Sequence, residues 1–295
     1  MRRRAFVTSV LAVSVAAATT LAGAATAGQG ADPYVVSGGM AGVVHAHDAG
    51  HGKPGGGARV NLVYHGGAIL QSTVVKAIFW GTSWANSGFI GDKFSGLDTF
   101  YGGVGGSQYM GTNTEYTDGS GHHVGAGVTY GNHLVDTSAA PSRAPATSDI
   151  LAEVSKEITA PVTNGYYPVY VDTPRGNTGY CAWHSWGTIH GVSVQFGFFF
   201  NLDGDPGCDP GSTVAGESQG LAALANVSGH ELSETVTDPG GASWYDSSGA
   251  ENADKCAWTF SNTVSIGGKS WLIQGNWSNN AYNANTGYAK GGCIV

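Results

Sequence analysis

The chain has 295 residues, 41% hydrophobic and 12% charged, with 48 glycines and a formal net charge of -8. Its charged content is well below the globular norm of about 25%, so Ser, Thr, Asn and Gly must solvate the surface, while the apolar and aromatic content excludes a disordered tail. The acidic balance, -11 once Arg2, Arg3 and Arg4 are set aside, speaks against nucleic acid or an anionic membrane as a partner.

At the start, Arg2, Arg3 and Arg4 precede an apolar run over 5–21, and Ala25-Thr26-Ala27 supplies small residues for cleavage. This order of charge, apolar stretch and small-residue exit reads as a signal peptide over 1–27. The run is shorter and more diluted by Ser and Thr than the about 20 apolar residues of a membrane anchor. The expectation is a secreted, extracellular protein with no membrane span in its mature form. Residues 28–57 are Gly-rich and carry His45, His47 and His51; they read as a flexible lead-in or pro-segment without a core. One folded domain is expected over 58–295.

Within that domain the expected class is α+β, a Gly-rich mixed sheet with a few helices. Val, Ile and aromatic residues predict strands over 59–64 and 73–80. A short helix is expected over 92–101, strands over 107–116 and 122–130, and a helix opening at Thr147 or Ser148. Strands follow over 166–171 and 192–200. The four cysteines, Cys181, Cys208, Cys256 and Cys293, suit an oxidising compartment and allow three pairings. Cys181 with Cys208 and Cys256 with Cys293 are favoured because each closes a loop of modest length. A Cys-only zinc site lacks the required spacing.

The most informative stretch is 220–238, GLAALANVSGHELSETVTD, which is stopped by Pro239 and Gly240. Its apolar residues recur at helical spacing, and His230, Glu234 and Asp238 stack one turn apart on a second stripe. His230-Glu231-x-x-Glu234 resembles the H-E-x-x-H helix of zinc peptidases with Glu in place of the second His. In such a helix the residues four apart bind the metal, and the Glu beside the first ligand acts on the bound water. His230 and Glu234 are thus candidate ligands and Glu231 the candidate base. Either Glu251 or Asp254 could complete the ligand set. Zinc is the first expectation from the motif, but a carboxylate in place of imidazole makes the set harder, which lowers the preference for zinc and leaves manganese, iron or calcium as alternatives. The competing reading is a local i,i+4 ion pair on a solvated helix face.

His184 is a further candidate ligand or a donor to a developing oxyanion, and His190 reads as structural. Asn201-x-Asp203-x-Asp205 opens like a calcium loop, but Pro206 stands where Gly is needed, so a turn is expected. Trp258, Trp271, Trp277, Tyr282 and Tyr288 could stack on sugar rings, although in a small sheet such residues are more often core.

Thr235-Val236-Thr237-Asp238-Pro239, with Gly179-Tyr180-Cys181-x-x-His184, Trp244-Tyr245-Asp246 and Glu251-x-x-Asp254-x-Cys256, resembles the phosphate-induced, EXORDIUM-like family. The resemblance extends over most of 58–295. It implies a secreted protein associated with cell walls, without an assigned catalytic activity. The plant pattern keeps the Thr-Val-Thr-Pro frame without the His-Glu pair, so that pair is an addition to the frame. Two functions follow. One is a secreted, metal-dependent, peptidase-like hydrolase acting on extracellular peptide. The other is a non-catalytic binding protein directed to cell-wall polysaccharide.

Overall fold

The computed structural model describes residues 33–47, 60–214 and 216–295. The expected signal peptide over 1–27 lies outside them. Two β-branched, aromatic-rich segments set the centre of the sheet: β4 (Thr73–Trp80) and β6 (Gly165–Pro174) run parallel, and both are buried along most of their length. Burial on both sides is what a central parallel strand requires. The other sheet strands are β1 (Tyr34–Val36), β2 (Ala41–His45), β5 (Val128–Asp136), β7 (Tyr180–Ile189) and β8 (Val192–Asn201). Together they form one mixed, seven-stranded sheet of order β1-β7-β8-β6-β4-β5, with β2 also paired to β7. Short two-stranded pairs are added by β3 (Val63–Tyr64) with β9 (Trp244–Tyr245), β10 (Val264–Ile266) with β11 (Lys269–Trp271), and β12 (Asn276–Trp277) with β13 (Cys293–Ile294).

The helices are α1 (Ser87–Ile90), α2 (Lys93–Val104), α3 (Gln108–Gly111), α4 (Thr147–Glu157), α5 (Gln219–Thr237) and α6 (Asn279–Ala284). The fold is α+β, as expected. Alternation along β7 separates two faces. A side chain at Gly187 would meet Leu151 of α4, whereas His184 turns toward Glu234 of α5.

Four local expectations need correction. Residues 34–36 and 41–45 are strands hydrogen-bonded to β7, and Val44 is fully buried. The folded unit therefore starts at Pro33, and that part of 28–57 is not a coreless lead-in. Their ladder partners lie far along the chain, so Gly-rich composition concealed them. The strand expected over 107–116 is instead α3 and a 3-10 turn over Thr112–Glu115. Its first turn is capped by Ser107, whose hydroxyl accepts the Met110 N–H at 3.2 Å. The strand expected over 122–130 forms later, as β5. The strand expected over 59–64 shrinks to Val63–Tyr64.

His190 has the predicted structural role. With Gly191 it makes the two-residue β7–β8 turn, at φ of 48° and 80°, the left-handed pair that a tight hairpin favours. Two disulfides join Cys181 to Cys208 and Cys256 to Cys293, the favoured pairing. Closing loops of 27 and 37 residues, each restricts the unfolded chain by about 3–4 kcal/mol. Among the described residues no helix is long and apolar enough to cross a membrane.

Candidate metal centre

Helix α5 positions the candidate ligands. Its N-cap Ser218 accepts the Leu221 N–H at 3.1 Å, and Asp238 followed by Pro239 ends it. The surprise is its burial: every residue from Gly220 to Thr237 is buried, including eight polar or charged ones. Polar side chains in such a place need partners. Several have them. Ser228 meets Tyr170 OH at 2.7 Å, and Asn226 accepts the Gln274 N–H at 2.8 Å. Ser233 accepts from Asn276 at 3.0 Å.

The residues predicted to bind metal are arranged differently. His230 Nε2 stands 3.1 Å from Glu234 Oε1 and 3.5 Å from Asp254 Oδ1. His184 Nε2 stands 3.4 Å from Glu251 Oε2 and 4.0 Å from Glu234 Oε2. Yet His230 Nε2, both His184 nitrogens, Glu234 Oε2 and Glu251 Oε2 are buried without a hydrogen bond. These atoms converge at distances that suit ligands around a cation, but without hydrogen-bond alignment. The solvated-face ion pair fails, because His230 and Glu234 are completely buried. The structure thus brings together His230, Glu234, Glu251 and Asp254, and places beside them His184, the further candidate of the sequence.

Three elements converge here. α5 gives His230 and Glu234, and β7 gives His184. The third is the loop ending in the Asp254–Cys256 turn, which gives Glu251 and Asp254 and is pinned by the Cys256 disulfide. The Asp254 N–H also donates to Glu234 Oε1 at 2.7 Å. A buried ion pair, Lys255 Nζ to Asp246 Oδ2 at 2.7 Å, fixes the same loop.

Burial, helped by charge on His230, drives His184 down to about 3, leaving a neutral imidazole with a lone pair to offer. Burial opposes charge on His230, but the Glu234, Asp254 and Glu231 carboxylates outweigh it and hold that ring well above the usual imidazole range. Burial and then repulsion from Asp254 push Glu234 up to about 7. Burial, followed by neighbouring acids, also pushes Glu251 well above the carboxylate range. Glu231 is raised well above that range by burial, which outweighs attraction to His230. A cation placed among these groups would reverse the upward shifts of the three glutamates and His230 and reinforce the downward shift of His184.

A cavity of about 580 Å³ reaches the cluster from the side of Glu251 and Asp254, walled by Trp186, Tyr245 and Trp258. That volume suits a small ligand or a short segment of a polymer. The strand β2 forms another wall of that cavity and lies directly against the cluster. Gly42, at φ +51°, allows this close approach, for a methyl group there would fall 2.1 Å from Glu234 Oε2. Glu231 does not line the cavity; both its oxygens are buried without a hydrogen bond.

Other predicted candidates fall outside the cluster. Asp238 Oδ1 accepts the N–H groups of Ala242 and Ser243 at 2.7 and 2.8 Å, closing the turn after α5. Asp203 pairs with Lys93 and Asp205 with Arg175, so the Asn201 segment is a salt-bridged turn. Trp271 and Trp277 are fully buried and cannot stack on a sugar. A further acidic group, Asp136, Glu153 and Glu157, already surrounds Lys156 Nζ. Sequence reasoning missed Gln274, whose amide lies 2.7 Å from His230 Nδ1, and missed Gly42; neither sits in a motif that could have flagged it.

No protein-family model, curated protein or solved structure matches the chain. The resemblance to the EXORDIUM-like family therefore rests on its quoted residues alone.

Proposed function

We propose that the protein is a divalent-metal-dependent hydrolase that works outside the cell on peptide substrates. The observation carrying this reading is the set of buried, converging His and carboxylate atoms without hydrogen bonds, bordering an open cavity. Two imidazoles and three carboxylates suit zinc or manganese. When bound, such a cation polarises a water and the scissile carbonyl.

The chain's own residues supply the rest. His184, His230, Glu234, Glu251 and Asp254 would supply the metal ligands, and Gln274 would orient the His230 ring. Glu231, one residue from His230 on the helix, is assigned the proton-acceptor role of the His-Glu motif, from a position behind the cluster rather than in the cavity wall. Trp186, Tyr245 and Trp258 give the cavity an apolar wall for a substrate side chain. The two disulfides fit export.

Elemental analysis of purified protein, with proteolysis assays on casein and peptide libraries, tests this. Bound metal that is lost in Glu234→Ala, with hydrolysis lost in a metal-retaining Glu231→Gln, is the expected result. Folded, metal-free and inactive wild-type protein would sink it.

A second reading is favoured by β2, which closes the cluster on one side. In it the protein is a non-catalytic, EXORDIUM-like wall protein whose acids hold a structural calcium. Tight calcium binding with no hydrolysis and retention on cell-wall polysaccharide would select that reading.

A further inference from the structure

Glu234 presents its two carboxylate oxygens to two different sets of partners. Oε1 faces His230 Nε2 at 3.1 Å, and Asp254 Oδ1 lies 3.5 Å from that same nitrogen. Oε2 faces His184 Nε2 at 4.0 Å, and Glu251 Oε2 lies 3.4 Å from that nitrogen. Two groups result, His230 with Glu234 and Asp254, and His184 with Glu234 and Glu251. In each, one donor atom per residue lies within 4.8 Å of the others. Donor atoms about 2.0–2.2 Å from one ion can be separated by no more than about 4.4 Å, so each group needs only a small contraction to close on a cation. The groups share Glu234 alone.

We propose that this cluster is a two-ion centre, holding two divalent cations with the Glu234 carboxylate as the bridge between them. The inference rests on the metal-dependent reading above and deepens it. A single cation would serve one His–carboxylate pair and leave the other pair's ring nitrogen and carboxylate oxygen buried without partners, an expensive arrangement.

Charge points the same way. Glu231, Glu234, Glu251 and Asp254 gather four carboxylates beside the two imidazoles, and the adjoining Lys255 is engaged by Asp246. Two divalent ions carry the four positive charges that these carboxylates balance; one ion leaves half of the negative charge to be neutralised by protons. Paired ions about 3.5–4 Å apart clamp both the attacking and the leaving oxygen in a displacement at a carbonyl or phosphoryl centre. The cavity reaches the cluster at Glu251 and Asp254, one terminal ligand from each group. A substrate oxygen entering there would meet both ions.

Protein stripped by a chelator and titrated with zinc or manganese, with unbound ion removed by dialysis, tests the count. Two ions per chain are expected. Glu251→Gln and Asp254→Asn should each drop the count to one, and Glu234→Gln should abolish tight binding of at least one ion. Manganese resonance spectra of the wild type make the test independent of variant folding: a coupled pair gives hyperfine lines at half the mononuclear spacing. One ion per chain at saturation, with a mononuclear spectrum, overturns the two-ion proposal and leaves the metal-dependent reading standing. No bound ion overturns both.

Discussion

The Gln274 amide lies 2.7 Å from Nδ1 of His230 and 3.1 Å from the Ala253 carbonyl. It therefore links the helix to the loop that carries Asp254. Which amide atom faces the ring selects the imidazole tautomer. An oxygen there accepts the Nδ1 proton and leaves the Nε2 lone pair toward Glu234 and Asp254; an N–H there places the proton on Nε2. The Ala253 carbonyl can only accept, and the Trp258 N–H donates to Gln274 Oε1 at 3.2 Å, so the structure has the amide nitrogen facing the ring; metal binding at Nε2 requires the amide to turn over.

Gln274→Met should accordingly weaken zinc binding by about 10–100-fold, the usual cost of losing such an orienting partner. Gln274→Glu, whose carboxylate can only accept from Nδ1, should hold affinity much closer to wild type. Competition with a chromophoric chelator measures both. Equal losses in the two variants would show that the contact does not orient the ring.

Gly42 supplies a second prediction. Its φ of +51° and the 2.1 Å approach that a methyl group would make to Glu234 Oε2 penalise any side chain. The register slips between Ala41 and Val44 against His184 and Ala182, so an extra residue bulges here and brings backbone onto the cluster. Gly42→Ala should destabilise the fold by about 2–4 kcal/mol, combining left-handed strain with overpacking. Denaturant melting of the metal-free protein checks this. Wild-type stability would mean that β2 does not press on Glu234 in solution.

The sequence made α5 and its candidate metal ligands legible because helical spacing is a local property: His230 and Glu234 share a face wherever the helix goes. The disulfide pairing followed from loop length. What stayed hidden depends on distant partners. The strand over 34–36 pairs with 187–189, and β7 itself, which places His184, has its ladder partners in β8 and β2. Nothing near His184 distinguishes a ligand from an ordinary core histidine. Gln274 is equally silent in sequence, since its function exists only once a loop 44 residues away returns to α5. The expected amphipathic stripe on α5 also understated its burial, because small residues such as Ala222, Ala225 and Gly229 let neighbours pack around the helix.

Acidity should act on metal binding and on stability in opposite senses. Without a cation, burial pushes Glu234 from 4.5 up to about 7. Between those values the folded chain keeps a proton that the unfolded chain has lost. This stabilisation is complete below about pH 4.5 and fades as pH rises through about 7. Glu231 and Glu251 shift in the same direction. His184, lowered from 6.5 to about 3, opposes them as pH falls through that interval. His230, raised above the imidazole range, keeps its proton in the folded chain and acts in the same sense as the three acids. Together they outweigh His184, so metal-free protein should melt higher at pH 6 than at pH 8, while zinc affinity drops about tenfold per pH unit for each proton displaced. Melting curves in chelator and zinc titrations at the two pH values measure the pair. Zinc affinity independent of pH would refute proton displacement from these carboxylates.

The loop bearing Glu251 and Asp254 hangs on Lys255 and Asp246. Their charged atoms meet at 2.7 Å with both side chains inaccessible. Asp246 Oδ1 also accepts from Ser248 N–H at 2.8 Å and from the Ser248 hydroxyl at 2.6 Å. The Lys255 ammonium lies 4.5 Å from the Trp277 ring centre, so the pair ties the loop to β12 as well. Lys255→Met keeps the length of the stem but leaves the Asp246 carboxylate buried without its cation, which should cost about 3–5 kcal/mol. Adding Asp246→Asn removes that orphaned charge and should recover part of the loss. Because the same loop presents two ligands, Lys255→Met should also lower zinc affinity, and saturating zinc should restore some of the lost melting temperature by mass action. Thermal melting of the two single variants and the double variant, with and without zinc, separates these effects. If the double variant is no more stable than Lys255→Met, the loss comes from packing of the lysine stem rather than from an unpaired carboxylate.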